Sequence, residues 1–133
     1  MKRIAGIVAG VLLGGAIAGA GVLAQEPTTK DGVYTAAQAA TGKTAFAEKC
    51  SSCHNPEKFT GAEWNRAYVG RPLSNVSGAM AEMPMDNPGS LTAEDYGALL
   101  AYFLSMNKYP EGQTTLEGTP EALKKITVSP LPQ

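Results

Sequence analysis

The sequence predicts an all-α domain, and three observations support this prediction. Two segments, residues 36–49 and 92–107, repeat apolar side chains at spacings of three and four, as helices that bury one face do. Each segment follows a threonine that has Gln or Asp three positions later, the form of a capping box. No segment shows the alternation of a half-buried strand. At 133 residues and 44% hydrophobic composition, the chain suits one compact domain.

The N-terminus has the three parts of an export signal: a basic start, an apolar stretch and a small-residue exit. Lys2 and Arg3 precede residues 4–23, which are apolar or glycine, and Ala24 stands before the first polar residues. The pattern predicts residues 1–24 as a signal peptide and a periplasmic location for the remainder. Because about 20 uncharged residues suffice to span a bilayer, an uncleaved membrane anchor is the alternative.

The charge balance excludes one class of partner. Without the two basic residues of the signal, nine basic residues face twelve acidic ones, which gives a net charge of −3. These charges are scattered, whereas nucleic-acid binding requires a clustered basic surface. We therefore expect no nucleic-acid partner, and membrane contact only if the N-terminal segment is retained.

The first helix is predicted at residues 36–49, after a polar linker at residues 25–34. Thr35 is expected to cap it while Gln38 reaches back toward the cap. Gly42 lies within this helix, where glycine costs about 1 kcal/mol relative to alanine. A close crossing of another backbone would explain why glycine is tolerated there.

Residues 55–88 have no sustained period, apart from one short helix predicted at residues 63–69. A structureless loop of this length is unusual in a compact domain, so another component, such as a large cofactor, is expected to organise it. The second long helix follows at residues 92–107, with Thr92 and Asp95 as its capping pair.

The C-terminal extension, residues 113–133, is rich in proline and is expected to pack on the domain. A short helix is predicted there at residues 120–126, capped by Thr119 with Pro120 at its first position. No internal repeat is found.

The segment Cys50-Ser51-Ser52-Cys53-His54 carries the chemistry, and it contains both cysteines and the only histidine of the chain. This spacing is typical of covalent haem attachment, in which two thiols bond the haem vinyl groups and the adjacent imidazole ligates the iron. A disulfide would leave the histidine unexplained. A thioredoxin-like pair would need a preceding strand, and a zinc site would need further Cys or His ligands.

A low-spin haem iron needs a sixth ligand, and with no second histidine the candidates are methionines. Met80, Met83 and Met85 lie within six residues of one another in a Gly/Pro-rich segment. Met83 is favoured because Pro84 restricts it to extended backbone, Met85 is second and Met80 third. For any single methionine, ordinary core packing is the alternative. His/Met ligation would raise the reduction potential.

These residues resemble the class I c-type cytochromes over residues 34–112. The matches, in order, are residues 42–46, the haem-attachment segment, Met83-Pro84, and residues 99–102. The resemblance implies a class I cytochrome c fold at residues 35–112, in which the N- and C-terminal helices cross and a long loop wraps round one haem. It also places Gly42, Phe46, Leu99 and Tyr102 at the crossing.

Within that group, the chain is most similar to the cytochrome domains of bacterial quinohaemoprotein dehydrogenases. Residues 34–39 and 83–91 match theirs, and Met83 takes the ligand position. The similarity at residues 64–73 implies contacts of Trp64 and Arg71 with the haem propionates, with surface or core packing as the alternative. The large propeller domain of that family has no counterpart here, so its alcohol oxidation is not expected.

The expected function is electron transfer by a single covalent haem c between a donor and an acceptor redox protein, without catalysis. The protein would act as a free carrier or as the cytochrome subunit of a dehydrogenase. Two alternatives are a haem-based sensor of small ligands and a haem enzyme. Both would require an open sixth position on the iron.

Overall fold

The computed structural model describes residues 25–133, and within this range the chain forms five α-helices and one 3-10 turn without a strand. This confirms the predicted all-α class. The predicted signal peptide or anchor lies outside the described residues. The helices are α1 (Ala36–Lys49), α2 (Gly61–Tyr68), α3 (Ser74–Ala79), α4 (Ala93–Met106) and α5 (Pro120–Leu123), and the 3-10 turn is Pro56–Phe59.

Both long helices begin at the predicted threonines. At α4, Thr92 and Asp95 form the reciprocal pair of a capping box. At α1 only half of the predicted capping box forms. The Thr35 hydroxyl accepts a hydrogen bond from the Gln38 backbone N–H at 3.2 Å. The Gln38 side chain turns instead to Leu116, where it donates to the carbonyl and accepts from the N–H, each at 2.8 Å.

Helices α1 and α4 cross at Gly42, as predicted. A Cβ built on Gly42 would lie 1.8 Å from the Ala98 carbonyl oxygen, so only glycine permits this approach. One turn later, the Phe46 ring packs 5.8 Å from that of Tyr102 and 5.9 Å from that of Phe103. The cost of glycine in the helix is thus offset by close packing of the two backbones.

The region between these helices is more regular than its sequence indicates. Helix α2 lies close to the predicted position, but the 3-10 turn and α3 were not predicted. Helix α3 has no side-chain cap and buries only Val76, so it lacks the apolar stripe by which helices are recognised. The segment is thus organised by contacts with the rest of the domain.

The two ends of the described chain pack on each other. The Thr29 N–H donates to the Thr127 carbonyl at 3.0 Å, and the Thr127 N–H donates to the Pro27 carbonyl at 3.1 Å. Thr29 and Tyr34 are buried, so residues 28–34, treated above as part of a linker, belong to the folded domain.

The C-terminal extension contributes to the core through four buried apolar residues. Helix α5 within it is shorter than predicted and ends at Leu123. Among residues 25–133, no helix has the length and apolar character needed to cross a membrane. The buried residues of the extension are Leu116, Leu123, Ile126 and Val128.

Candidate functional site

A cavity of about 820 Å³ lies between the end of α1, the middle of α4 and the segment 76–91. This volume falls in the upper part of the range for small-molecule and cofactor sites, about 300–1,000 Å³. Its walls are mainly apolar, with both cysteines, the histidine and three methionines among them. The residues that line the cavity include Phe46, Lys49, Cys50, Cys53, His54, Phe59, Tyr68, Val76, Ala79, Met80, Met83, Met85, Leu91, Leu99 and Phe103.

The predicted attachment segment continues directly from the end of α1. The Cys50 N–H closes the helix on the Phe46 carbonyl at 2.9 Å. The Cys50 carbonyl then accepts from the N–H groups of Cys53 at 3.1 Å and of His54 at 2.9 Å. This extra turn brings both cysteines and His54 to the wall of one cavity. The structure therefore brings the three predicted residues together.

The two thiols differ in environment. Cys50 is half-buried, and burial raises the pKa of its thiol, an effect that the neighbouring Lys49 charge partly opposes. Cys53 is exposed, and neither cysteine forms a disulfide. No group of three or more His, Cys, Asp or Glu in the described part of the chain is arranged to hold a metal ion, so the zinc alternative gains no support.

The three candidate methionines all line the same cavity but differ in exposure. Met85 is 80% exposed and lies at the cavity rim. Met80 and Met83 are half-buried, and Met80 packs against the hydrophobic core. The Met83 N–H donates to the Met80 carbonyl at 2.9 Å, which fixes the backbone of both residues in one turn. The structure thus favours these two over Met85, and the choice of Met83 stays a prediction.

Several apolar side chains of the cavity have no signal in the sequence. Phe59 stacks on Phe103 with ring centroids 4.6 Å apart, and its edge-on contact with His54 spans 5.9 Å. It therefore supports the imidazole from the side of α4. Phe59 stands alone in a short 3-10 turn without periodic apolar neighbours, so only the three-dimensional arrangement reveals its role.

Trp64 and Arg71 do not line the cavity, so the structure does not bring the two predicted propionate contacts to the site. Trp64 is 0% exposed, and its indole N–H donates to the Tyr109 hydroxyl at 3.3 Å. Its contact with a haem propionate stays a prediction. Tyr68, whose ring lies 5.1 Å from that of Trp64, does line the cavity. Arg71 is exposed, and its carbonyl accepts a hydrogen bond from Val128.

Comparison with known proteins identifies the family. The family model described as "Cytochrome C oxidase, cbb3-type, subunit III" matches residues 37–103. The matched segment holds nearly all of α1, the attachment segment, the three methionines and most of α4. The chain belongs to this family of c-type cytochromes. No curated protein and no solved structure gives a significant match to it.

Membership confirms the predicted class and its general function. This cytochrome takes part in haem-based electron transfer, and its partners are redox proteins. It also confirms the cytochrome c fold, in which the crossing of α1 and α4 at Gly42 supports the cavity from one side.

The residues of the cavity fit haem c, the group that the family implies. Cys50 and Cys53 would supply two thiols, His54 an imidazole nitrogen, and the methionines of residues 80–85 thioether sulfur. The remaining surface is mainly apolar, which suits a flat, largely hydrophobic macrocycle. The cytochrome thus presents at one site the side chains that attachment and axial ligation require.

Proposed function

We propose that this cytochrome is an exported one-electron carrier with a single covalent haem c, whose iron is ligated by His54 and Met83. The observation that supports the proposal is the convergence of Cys50, Cys53, His54 and Met83 on one apolar cavity. When bound, the haem supplies reversible uptake and release of one electron at its iron. The protein supplies attachment, axial ligation and a surrounding of low polarity.

Each wall of the cavity has a distinct part in this function. Cys50 and Cys53 form the thioether bonds, and the turn after α1 holds His54 beside Phe59 as the fifth ligand. Met83 would hold the iron as the sixth ligand, and its thioether would favour ferrous iron. Phe46, Leu99 and Phe103 are buried and exclude water, which further tunes the potential.

The exposed part of the site suits transient docking of partner proteins. Cys53 and Met85 are both exposed at the cavity, so the edge of a haem attached there approaches the surface. A net charge of −3 after signal removal favours a partner with a basic docking surface and an association that weakens with salt.

The proposal also includes a periplasmic location, which the basic and apolar N-terminus supports. The donor and acceptor belong to a larger redox chain. The resemblance of residues 34–39 and 83–91 to quinohaemoprotein dehydrogenases supports a dehydrogenase among its partners, with this chain as its cytochrome subunit. Membership in a family described by an oxidase subunit supports an oxidase among its partners instead.

Absorption spectra of the purified haem protein, oxidised and reduced, test the axial ligation. We expect a low-spin spectrum with a Met-to-iron charge-transfer band and only very slow binding of carbon monoxide. Met83→Ala should lose that band and bind carbon monoxide, because removal of the thioether opens the iron.

Met85→Ala is the matched control, since this side chain lies at the same cavity but mainly in solvent. It should keep the band and bind carbon monoxide no faster than the parent does. Unchanged ligation in Met83→Ala would refute the ligand assignment. A high-spin parent protein that binds carbon monoxide would favour the sensor or enzyme alternative instead.

A further inference from the structure

A C-terminal segment outside the matched family residues is hydrogen-bonded to the part of the chain that leads to Met80 and Met83. The C-terminal clamp, which we define as residues 126–129, lies well beyond the matched residues 37–103. It runs between residues 70–73 on one side and residues 27–29 on the other. Ile126 and Val128 are buried, so the clamp is part of the core and not a loose tail.

On its inner side, the clamp is hydrogen-bonded to residues 70–73. The Gly70 N–H donates to the Val128 carbonyl at 2.8 Å, and the Val128 N–H donates to the Arg71 carbonyl at 2.9 Å. The Leu73 N–H donates to the Ile126 carbonyl, also at 2.8 Å. Three short backbone hydrogen bonds therefore fix a four-residue loop to the clamp.

On its outer side, the clamp is anchored by two other parts of the chain. The Ser129 N–H donates to the Thr29 hydroxyl at 3.0 Å, and Thr127 pairs with the backbone of residues 27–29. Tyr109, just beyond α4, donates its hydroxyl to the Ser129 carbonyl. The clamp is thus hydrogen-bonded to residues 27–29 and Tyr109 on one side and to residues 70–73 on the other.

A continuous series of backbone hydrogen bonds leads from the clamp to the candidate ligands. Leu73 is bonded to Ile126, and its own carbonyl accepts from the Ser77 N–H in α3 at 3.3 Å. The Met80 N–H donates to the Ser77 carbonyl at 3.0 Å, and the Met83 N–H to the Met80 carbonyl at 2.9 Å. The last two bonds of this series join residues that line the cavity or stand next to one that does.

We propose that the C-terminal clamp positions the methionine-bearing wall and so sets how firmly the sixth ligand holds the iron. This inference rests on the proposed His/Met function. Helix α3 has no cap of its own, and Leu73, its N-terminal neighbour, is fully buried beneath the clamp. Loosening the clamp would therefore let α3 and Met83 withdraw from the iron while the thioether attachments persist. Val128 and Gly70 act as positioning residues.

The test compares proline at two adjacent positions of the full-length haem protein. Val128→Pro removes the N–H that bonds Arg71 on the side of the cavity wall. Thr127→Pro removes the N–H that bonds Pro27 on the opposite side. Carbon monoxide binding to the reduced protein and the Met-to-iron charge-transfer band measure the fraction of open iron. Chemical unfolding measures general damage.

We expect Val128→Pro to raise the carbon monoxide binding rate about five-fold and to weaken the charge-transfer band. Five-fold is equivalent to about 1 kcal/mol, the net contribution of one hydrogen bond. Thr127→Pro should bind carbon monoxide as the parent does, even if its unfolding midpoint falls. Equal effects of the two variants would show a merely structural role and would overturn the proposal.

A milder pair keeps the test decisive if Val128→Pro does not fold. Gly70 and Gly61 both have positive φ, of 80° and 60°, and a Cβ at either would meet no atom within 4 Å. Alanine imposes similar backbone strain at both positions, but only Gly70 donates to the clamp. Gly70→Ala should bind carbon monoxide faster than Gly61→Ala. Equal rates would refute the clamp, whereas a parent protein without the charge-transfer band would refute the His/Met function itself.

Discussion

The two walls of the cavity are built in different ways. The helix wall, which we define as the cavity residues of α1 and α4, consists of side chains packed between two crossing helices, such as Phe46, Leu99 and Phe103. The loop wall, defined as residues 76–91, has only the short helix α3, and most of its residues are half-buried or exposed.

Under the proposed function, this difference would separate the permanent thioether bonds from the exchangeable iron ligand. Cys50, Cys53 and His54 directly follow α1, so the proposed attachment and fifth ligand lie next to the helix wall. The candidate sixth ligands belong to the loop wall, whose backbone hydrogen bonds lead to distant segments of the chain. Local opening is cheapest where buried apolar contacts are few. The thioether of methionine is therefore on the side of the site that opens first.

The largest effect is expected from breaking the helix wall at its crossing. In Gly42→Val, the added Cβ would meet the Ala98 carbonyl oxygen at 1.8 Å, and backbone cannot yield as a flexible side chain can. Overpacking typically costs about 1–3 kcal/mol, and this contact should reach or exceed the upper value. Denaturant unfolding of the haem protein measures the loss.

Gly78→Ala is the control for that change, because Gly78 is also helical but a Cβ there meets no atom within 4 Å. Alanine at this position should leave stability unchanged or raise it by up to about 1 kcal/mol. A Gly42→Val protein as stable as its parent would mean that the two helices do not cross as described.

An intermediate effect is expected at the anchor behind the loop wall. Tyr109 donates its hydroxyl to Ser129 and accepts from Trp64, and burial raises the pKa of this phenol. Tyr109→Phe leaves both partners without a hydrogen bond, which should cost about 1–3 kcal/mol of unfolding free energy. Thermal or denaturant unfolding measures this loss.

Tyr102→Phe provides the comparison, since within residues 25–133 the Tyr102 hydroxyl donates no hydrogen bond. Its ring contacts Phe46 in the helix wall, and phenylalanine keeps that contact. Its stability should stay within about 0.5 kcal/mol of the parent. Similar losses in the two variants would argue against the Tyr109 network.

The smallest effect concerns the ion pair between Lys49 at the end of α1 and Asp95 in α4, whose charged atoms lie 2.7 Å apart. The hydrogen bond from Lys49, together with that from the Thr92 backbone, lowers the pKa of Asp95 below its ordinary value. The folded state thus favours the carboxylate. At neutral pH, the ionised Asp95 therefore contributes to the free energy of unfolding. This contribution is lost as the pH falls from about 3.9, the ordinary pKa of aspartate, through the lower pKa of Asp95 in the folded state.

Asp95→Asn should lower the free energy of unfolding at neutral pH by less than about 1 kcal/mol. The decrease of that free energy between neutral and acidic pH should also become smaller. Glu63→Gln, which removes a more exposed pair with Arg66 in α2, should change neither quantity measurably. Unfolding curves at neutral and acidic pH decide the point. An unchanged acid dependence in Asp95→Asn would show that this pair does not join the helices.

The same two walls differ in how well the sequence predicts them. Helices α1 and α4 carry apolar stripes and capping threonines, and Gly42 marked their crossing through its apparent cost. The attachment segment was indicated by its cysteine spacing, the adjacent histidine and the lack of residues for the alternative sites. These signals are local, and each can be read within a window of a few residues.

The remaining features depend on contacts between distant residues. Helix α3 has neither an apolar stripe nor a side-chain cap. Its position depends on Leu73, the residue before it, whose N–H donates to the Ile126 carbonyl more than 50 positions away. The hydrogen bond from the Trp64 indole to Tyr109 joins residues 45 positions apart. Gln38 left the predicted capping box because the Leu116 backbone offers it two hydrogen bonds. Sequence periodicity does not report such partners.

The clamp also has a consequence for the order in which the protein matures. Synthesis proceeds from the N-terminus, so residues 50–54 are made well before residues 126–129. Until the clamp is made, its three backbone hydrogen bonds to residues 70–73 cannot form. The loop wall is therefore completed last, by the part of the chain that is made last.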